Sequence, residues 1–144
     1  MHKHDIRSKE DAARYLLSCT LATVDRVSTT KSRRKGELVS ALTASQKFFN
    51  TMLFLGLVPS DSRSERIIIS HENNVASYST ELEKKYNVKP FKGIQIDVNE
   101  PPYRTIEELL QAHYDHAKNS AYSAHTNSEV RRQLSISDTA KEWL

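Results

Sequence analysis

Apolar residues recur at helical spacing over most of this chain, and the points where the spacing breaks divide it into elements. Ala13, Leu16, Leu17, Leu21, Val24 and Val27 share one helical face, with Arg14, Asp25 and Arg26 turned toward water. Ser8 followed by Asp11 supplies an N-terminal capping signal, so a first helix is expected over Lys9 to Ser28. The run Ser28, Thr29, Thr30 and then Gly36 weakens helix propensity and sets a break between residues 28 and 36. From Glu37 the pattern resumes through Leu38, Val39, Leu42, Phe48, Phe49, Met52, Leu53 and Leu55, interrupted by Thr43, Ala44, Ser45 and Gln46. That interruption fits either a turn between two helices or the exposed side of one long helix. Gly56 and Pro59 end the element, because proline supplies no amide and forces its predecessor out of helical geometry.

The middle of the chain reads differently. Arg66 to Ser70 is a β-branched run, and Gly93 to Val98 alternates Ile94, Ile96 and Val98 with Gln95 and Asp97, so both are expected as strands. Between them Asn74 to Tyr86 has helical character, a crossover long enough for the two strands to pair in parallel. After Pro101 and Pro102, Thr105 with Glu108 forms a capping box for a helix over Ile106 to Lys118, and Thr126 with Glu129 repeats the signal for a helix beginning near Ser128. The expected fold is therefore α+β and helix-rich, with about five helices and a small two-stranded β element. It occupies residues 1–144 as a single domain, with residues 1–7 as a flexible N-terminus.

The 144 residues, 38% hydrophobic and 27% charged, suit one globular domain. The net charge of +3 is unevenly placed, since residues 1–66 carry 12 Lys and Arg against 7 Asp and Glu while residues 67–144 carry 9 against 11. A polyanion would meet the N-terminal half. One cysteine, Cys19, cannot form an intramolecular disulfide, and with a polar N-terminus the expected address is cytoplasmic. The longest apolar block, Met52 to Val58, is far short of the roughly 18 residues of a membrane span, so no membrane partner is expected.

Two stretches carry a family likeness. Glu37, Leu38 and Val39, then Ser45 to Leu55, then Arg63 to Ile69, resemble the second helix, recognition helix and wing of winged-helix DNA-binding domains. The resemblance implies Lys31, Arg33, Arg34 and Lys35 on phosphates and Gln46, Lys47 and Asn50 nearer the bases, with Phe49, Met52 and Leu53 packed inward. The same residues also fit a core helix with a solvated basic approach. The second stretch, Glu129 to Leu144, is similar to the helix-turn-helix of many bacterial regulators. It also fits a capped helix whose tail docks Trp143 and Leu144 on the core or on a partner.

Candidate catalytic chemistry is sparse. His113 and His116 stand at i and i+3, a spacing able to share a metal ion, although a surface helix explains it as well and no third ligand has a diagnostic spacing. Cys19 lies on or beside the apolar face of the first helix and reads as a structural thiol. Three glycines leave no loop for a glycine-rich phosphate cradle, and adjacent Ser70, His71 and Glu72 do not make a triad. No cofactor, metal or catalytic residue is assigned. The expected function is a small non-enzymatic regulatory protein that binds DNA through its basic half. The rival is a protein–protein interaction module, inhibitor or adaptor, forming a homodimer through apolar faces that include Phe48, Trp143 and Leu144.

Overall fold

The computed structural model describes residues 2–29, 35–57, 101–124 and 126–144, with the backbone alone over 24–29 and 35–42. It also describes the single positions Arg66, Ile69, Asn73, Ala76, Thr80, Glu83 and Lys84. Among the described residues four α-helices can be followed along the chain: α1 (Lys9–Thr29), α2 (Lys35–Phe54), α3 (Ile106–Ser123) and α4 (Asn127–Glu142). Their starts follow local capping chemistry. Ser8 Oγ accepts from Asp11 N at 3.2 Å, Thr105 Oγ1 from Glu108 N at 3.1 Å, and Thr126 Oγ1 from Glu129 N at 3.1 Å. The reciprocal bond lands one residue early at α1 and α3, where Asp11 and Glu108 accept from Arg7 N and Arg104 N. α2 ends as a Schellman turn, with Leu57 N donating to Met52 O at 2.9 Å, Gly56 N to Leu53 O at 3.2 Å, and Gly56 at φ 69.

α1 and α3 form the middle of the structure because each carries two apolar stripes. On α1, Ala13, Leu17 and Leu21 face α2 and pack with Ala44, Phe48, Phe49 and Met52, while Ala12 and Leu16 face Ile6, Leu110, Ala117, Ile136 and Ala140. On α3, Leu109 joins the first cluster and Leu110 the second. α2 lies on one side of this middle layer and α4 on the other. Small residues on α3 and α4, among them Ala117, Ala121, Ser137 and Ala140, allow the most extensive contact between described helices.

Directions follow from three cross-links. Arg14 Nε donates to Leu57 O at 3.2 Å, setting the start of α1 against the end of α2. Lys9 Nζ meets Glu107 Oε1 at 3.4 Å, which sets the starts of α1 and α3 side by side. Arg132 near the start of α4 donates to Thr23 and to Cys19 O on the later part of α1, so α4 runs back along it. The sense is up, down, up, down. Arg14 is thus not a solvent-facing residue, as its amphipathic position suggested, but half-buried, with its charge at the carbonyl end of α2, where the helix dipole favours it.

The α+β expectation is overturned, since no residue among those described is in a strand. Arg66 and Ile69, expected in the first strand, are helical, and Ile69 is 58% exposed. A short apolar run is equally compatible with either structure, and here the described positions Arg66, Ile69, Asn73, Ala76, Thr80, Glu83 and Lys84 are helical and exposed. Thr80 Oγ1 bonds back to Ala76 O at 3.1 Å. The second strand, Gly93 to Val98, lies outside the described residues. At the N-terminus Lys3–Asp5 form a 3-10 turn, His2 N donates to Asp5 Oδ2 at 3.0 Å, and Ile6 is buried. No helix among the described residues is long and apolar enough to cross a membrane.

Candidate functional sites

The residues expected at a nucleic-acid interface divide along α2. Residues 42–46 make no turn, because α2 runs unbroken from Lys35 to Phe54, with Ala44 and Ser45 buried. Phe49 and Met52 are buried and Leu53 half-buried, as the inward set requires. On the opposite stripe Lys47 is exposed, while Gln46 and Asn50 are half-buried and Asn50 Oδ1 is buried without a hydrogen-bond partner among the described residues. Lys31, Arg33 and Arg34 lie outside the described residues, and Lys35 is the first residue of α2. The stretch 129–144 also lacks an internal turn, since α4 is continuous over Asn127–Glu142.

The residues expected at a protein interface are mostly engaged within the chain. Phe48 is 2% exposed and sits in the core between α1, α2 and α3. Trp143 packs against the cluster of Ile6, Leu16, Leu110 and Ala140, leaving Leu144 exposed. The tail therefore docks on its own core.

A second site gathers where α1, α3 and α4 meet. Here His113, His116, Thr20, Thr23 and Gln133 surround a cavity of about 10 Å³, closed on the apolar side by Ala117 and Ile136. His113 is fully buried and stacks on Phe48 at 3.9 Å between ring centroids; His116 meets the same ring edge-on at 5.8 Å. Burial pushes the His113 imidazole down to about 3, with a smaller contribution from the neighbouring His116. Burial also lowers His116. Both rings are thus neutral near pH 7, and the surface-helix reading of this pair does not hold. No group of three or more His, Cys, Asp or Glu able to hold a metal is present among the described residues.

A signal for His113 was present in the sequence, because Leu109, His113, Ala117 and Ala121 form one i, i+4 stripe, all buried. Gln133 likewise shares a face with Ile136, Ser137 and Ala140. Neither Thr20 nor Arg132 could be placed in the site without knowing how α1 and α4 cross.

Arg132 organises the rim. Its Nη1 donates to Thr23 Oγ1 at 2.6 Å, its Nη2 to Cys19 O at 2.8 Å, and it pairs with Glu129 at 3.4 Å. Glu129 Oε1 also accepts from Gln133 Nε2 at 2.8 Å. Hydrogen bonds to a charged group contribute about 1.5–3 kcal/mol, so Arg132→Ala should lower stability by about 2 kcal/mol in urea denaturation. Arg132→Lys, which lacks the planar fork, should recover less than half of that. An unchanged midpoint in the alanine variant would show the fork to be dispensable. The Cys19 thiol itself is pushed up by burial despite the nearby guanidinium, in keeping with a structural role.

No protein-family model, curated protein or solved structure matches this chain.

Proposed function

We propose that this protein is a small non-enzymatic regulator that binds nucleic acid through the phosphate backbone, using the basic N-terminal approach to α2. The observation supporting this reading is that the described part of α2 opens at Lys35, the last cation of the run Lys31, Arg33, Arg34, Lys35, so that in sequence this basic run adjoins the early end of the helix. A helix N-terminus has unpaired amides and a positive dipole end, which favours acidic side chains. α1, α3 and α4 follow that rule, with Glu10 and Asp11, Glu107 and Glu108, and Glu129 in their first turns. The described part of α2 instead opens on Lys35 with the single acid Glu37, and in sequence Lys31, Arg33 and Arg34 come just before it. That arrangement costs the isolated helix stability and is compensated when phosphate supplies the negative charge.

The unbroken course of α2 favours backbone contact over base readout. Gln46 and Asn50 are half-buried, and Lys47, about 18 Å along the helix at 1.5 Å per residue, is the exposed cation available to extend the contact. Four phosphate contacts on duplex DNA predict a slope of roughly −3.6 for log K against log salt, a loss of about 10²-fold between 50 and 200 mM. Fluorescence anisotropy with a labelled duplex measures this. Reversing Lys31, Arg33, Arg34 and Lys35 to Glu should abolish binding, while reversing exposed Arg131 and Lys141 on α4 should leave most of it. Binding that ignores salt, or that survives the fourfold reversal, would overturn the proposal.

A further inference from the structure

We propose that the cavity between α1, α3 and α4 is a binding site for one water molecule, which hydrogen-bonds the buried His113 and joins it to the polar side chains of α1 and α4. His113 lines this cavity, and its Nε2 is buried with no partner among the described residues. Leaving such an atom unsatisfied is costly, and a single bridging water offsets that cost. At about 10 Å³ the space has room for about one water-sized sphere.

The chemistry of the wall selects the occupant. Thr20 Oγ1 donates to Leu16 O at 3.1 Å, Thr23 Oγ1 donates to Cys19 O at 2.9 Å, and Gln133 Nε2 donates to Glu129 at 2.8 Å. The hydroxyl protons are committed to the helices that carry them, so the threonine oxygens remain as acceptors. A neutral imidazole nitrogen either accepts or donates according to its tautomer, and water serves both cases. A divalent cation is poorly matched, because among the described residues the wall holds no carboxylate or thiolate, and Arg132 on Thr23 adds positive charge beside it. The water is therefore a structural member of the α1–α3–α4 junction, present in the resting fold.

A crystal structure of the full chain at a resolution that orders solvent tests this directly. The expected result is one peak about 2.7–3.2 Å from His113 Nε2 and within the same range of Thr20, Thr23 or Gln133. A water cross-peak to the Ala117 methyl in a nuclear Overhauser spectrum gives the solution counterpart. His113→Phe, which keeps an aromatic ring against Phe48 but removes the nitrogen, should lose both signals. Overturning results are a metal ion at about 2.0–2.1 Å from the imidazole, a protein partner for Nε2, or a site without solvent in both measurements.

Discussion

Replacing Phe48 with alanine should remove about 3–5 kcal/mol of folding stability, enough to unfold a substantial fraction of a domain whose total is about 5–15 kcal/mol. Phe48 is 2% exposed at the centre of the cluster that joins α1, α2 and α3. Its ring stacks on His113 at 3.9 Å and on Tyr103 at 6.0 Å, and meets the edge of His116 at 5.8 Å. Truncation therefore removes the transfer energy of a buried phenyl group, opens a cavity, and takes away aromatic contacts contributing about 0.5–1.5 kcal/mol each. Urea denaturation at neutral pH should show the midpoint falling sharply with little change in slope, and Phe48→Leu should recover more than half of the loss. A loss below about 1 kcal/mol for the alanine variant would mean that Phe48 is no anchor. That result would restore it as a surface residue available to a partner.

The contrast between Phe48 as a proposed contact and Phe48 as a core anchor shows where local pattern stops being informative. Helix starts were legible because capping is a local matter: Ser8, Thr105 and Thr126 each accept the amide three residues on. The end of α2 at Gly56 was legible for the same reason. Residues 42–46 were ambiguous because small side chains serve equally in a turn and at a close helix contact. Ala44 packs against α1 in the core, and Ser45 is buried beside it. The expected strand at Arg66 to Ser70 misled for a related reason, since β-branched residues favour strands only weakly, and its described members Arg66 and Ile69 are helical. The histidine cavity required three helices to converge; the buried stripes of α3 and α4 were legible in the chain, but not the crossing that brings Thr20 and Thr23 to them. The basic run Lys31, Arg33, Arg34, Lys35 was legible as charge alone.

Acid should destabilise this fold well above the range in which carboxylates titrate. His113 is held down at about 3 in the folded protein by burial and, to a lesser degree, by His116, against 6.5 for a free imidazole. Above pH 6.5 neither state binds the proton, and the histidine leaves stability unchanged. Below it the unfolded chain becomes protonated while the folded one does not, so stability falls by about 1.36 kcal/mol per pH unit until the folded value is reached. At pH 5 the loss from His113 alone is roughly 2 kcal/mol. His116, lowered by burial, acts in the same direction. Among the described residues no carboxylate lines the cavity to accept the charge. Phe48, Thr20, Thr23 and Gln133 are neutral, Arg132 beyond Thr23 is positive, and Glu129 is already held by Arg132 and Gln133. The exposed carboxyls of Asp5 and Glu107, also held below their usual range, lose their contribution only at lower pH. Denaturation midpoints measured from pH 7.5 to 4.5 should therefore drop steadily, with a shallower slope in His113→Phe. A wild-type profile that stays flat from pH 7 to pH 5 would mean that His113 binds its proton equally well folded and unfolded, and with it the neutral, buried imidazole at the α1–α3–α4 junction would have to be abandoned.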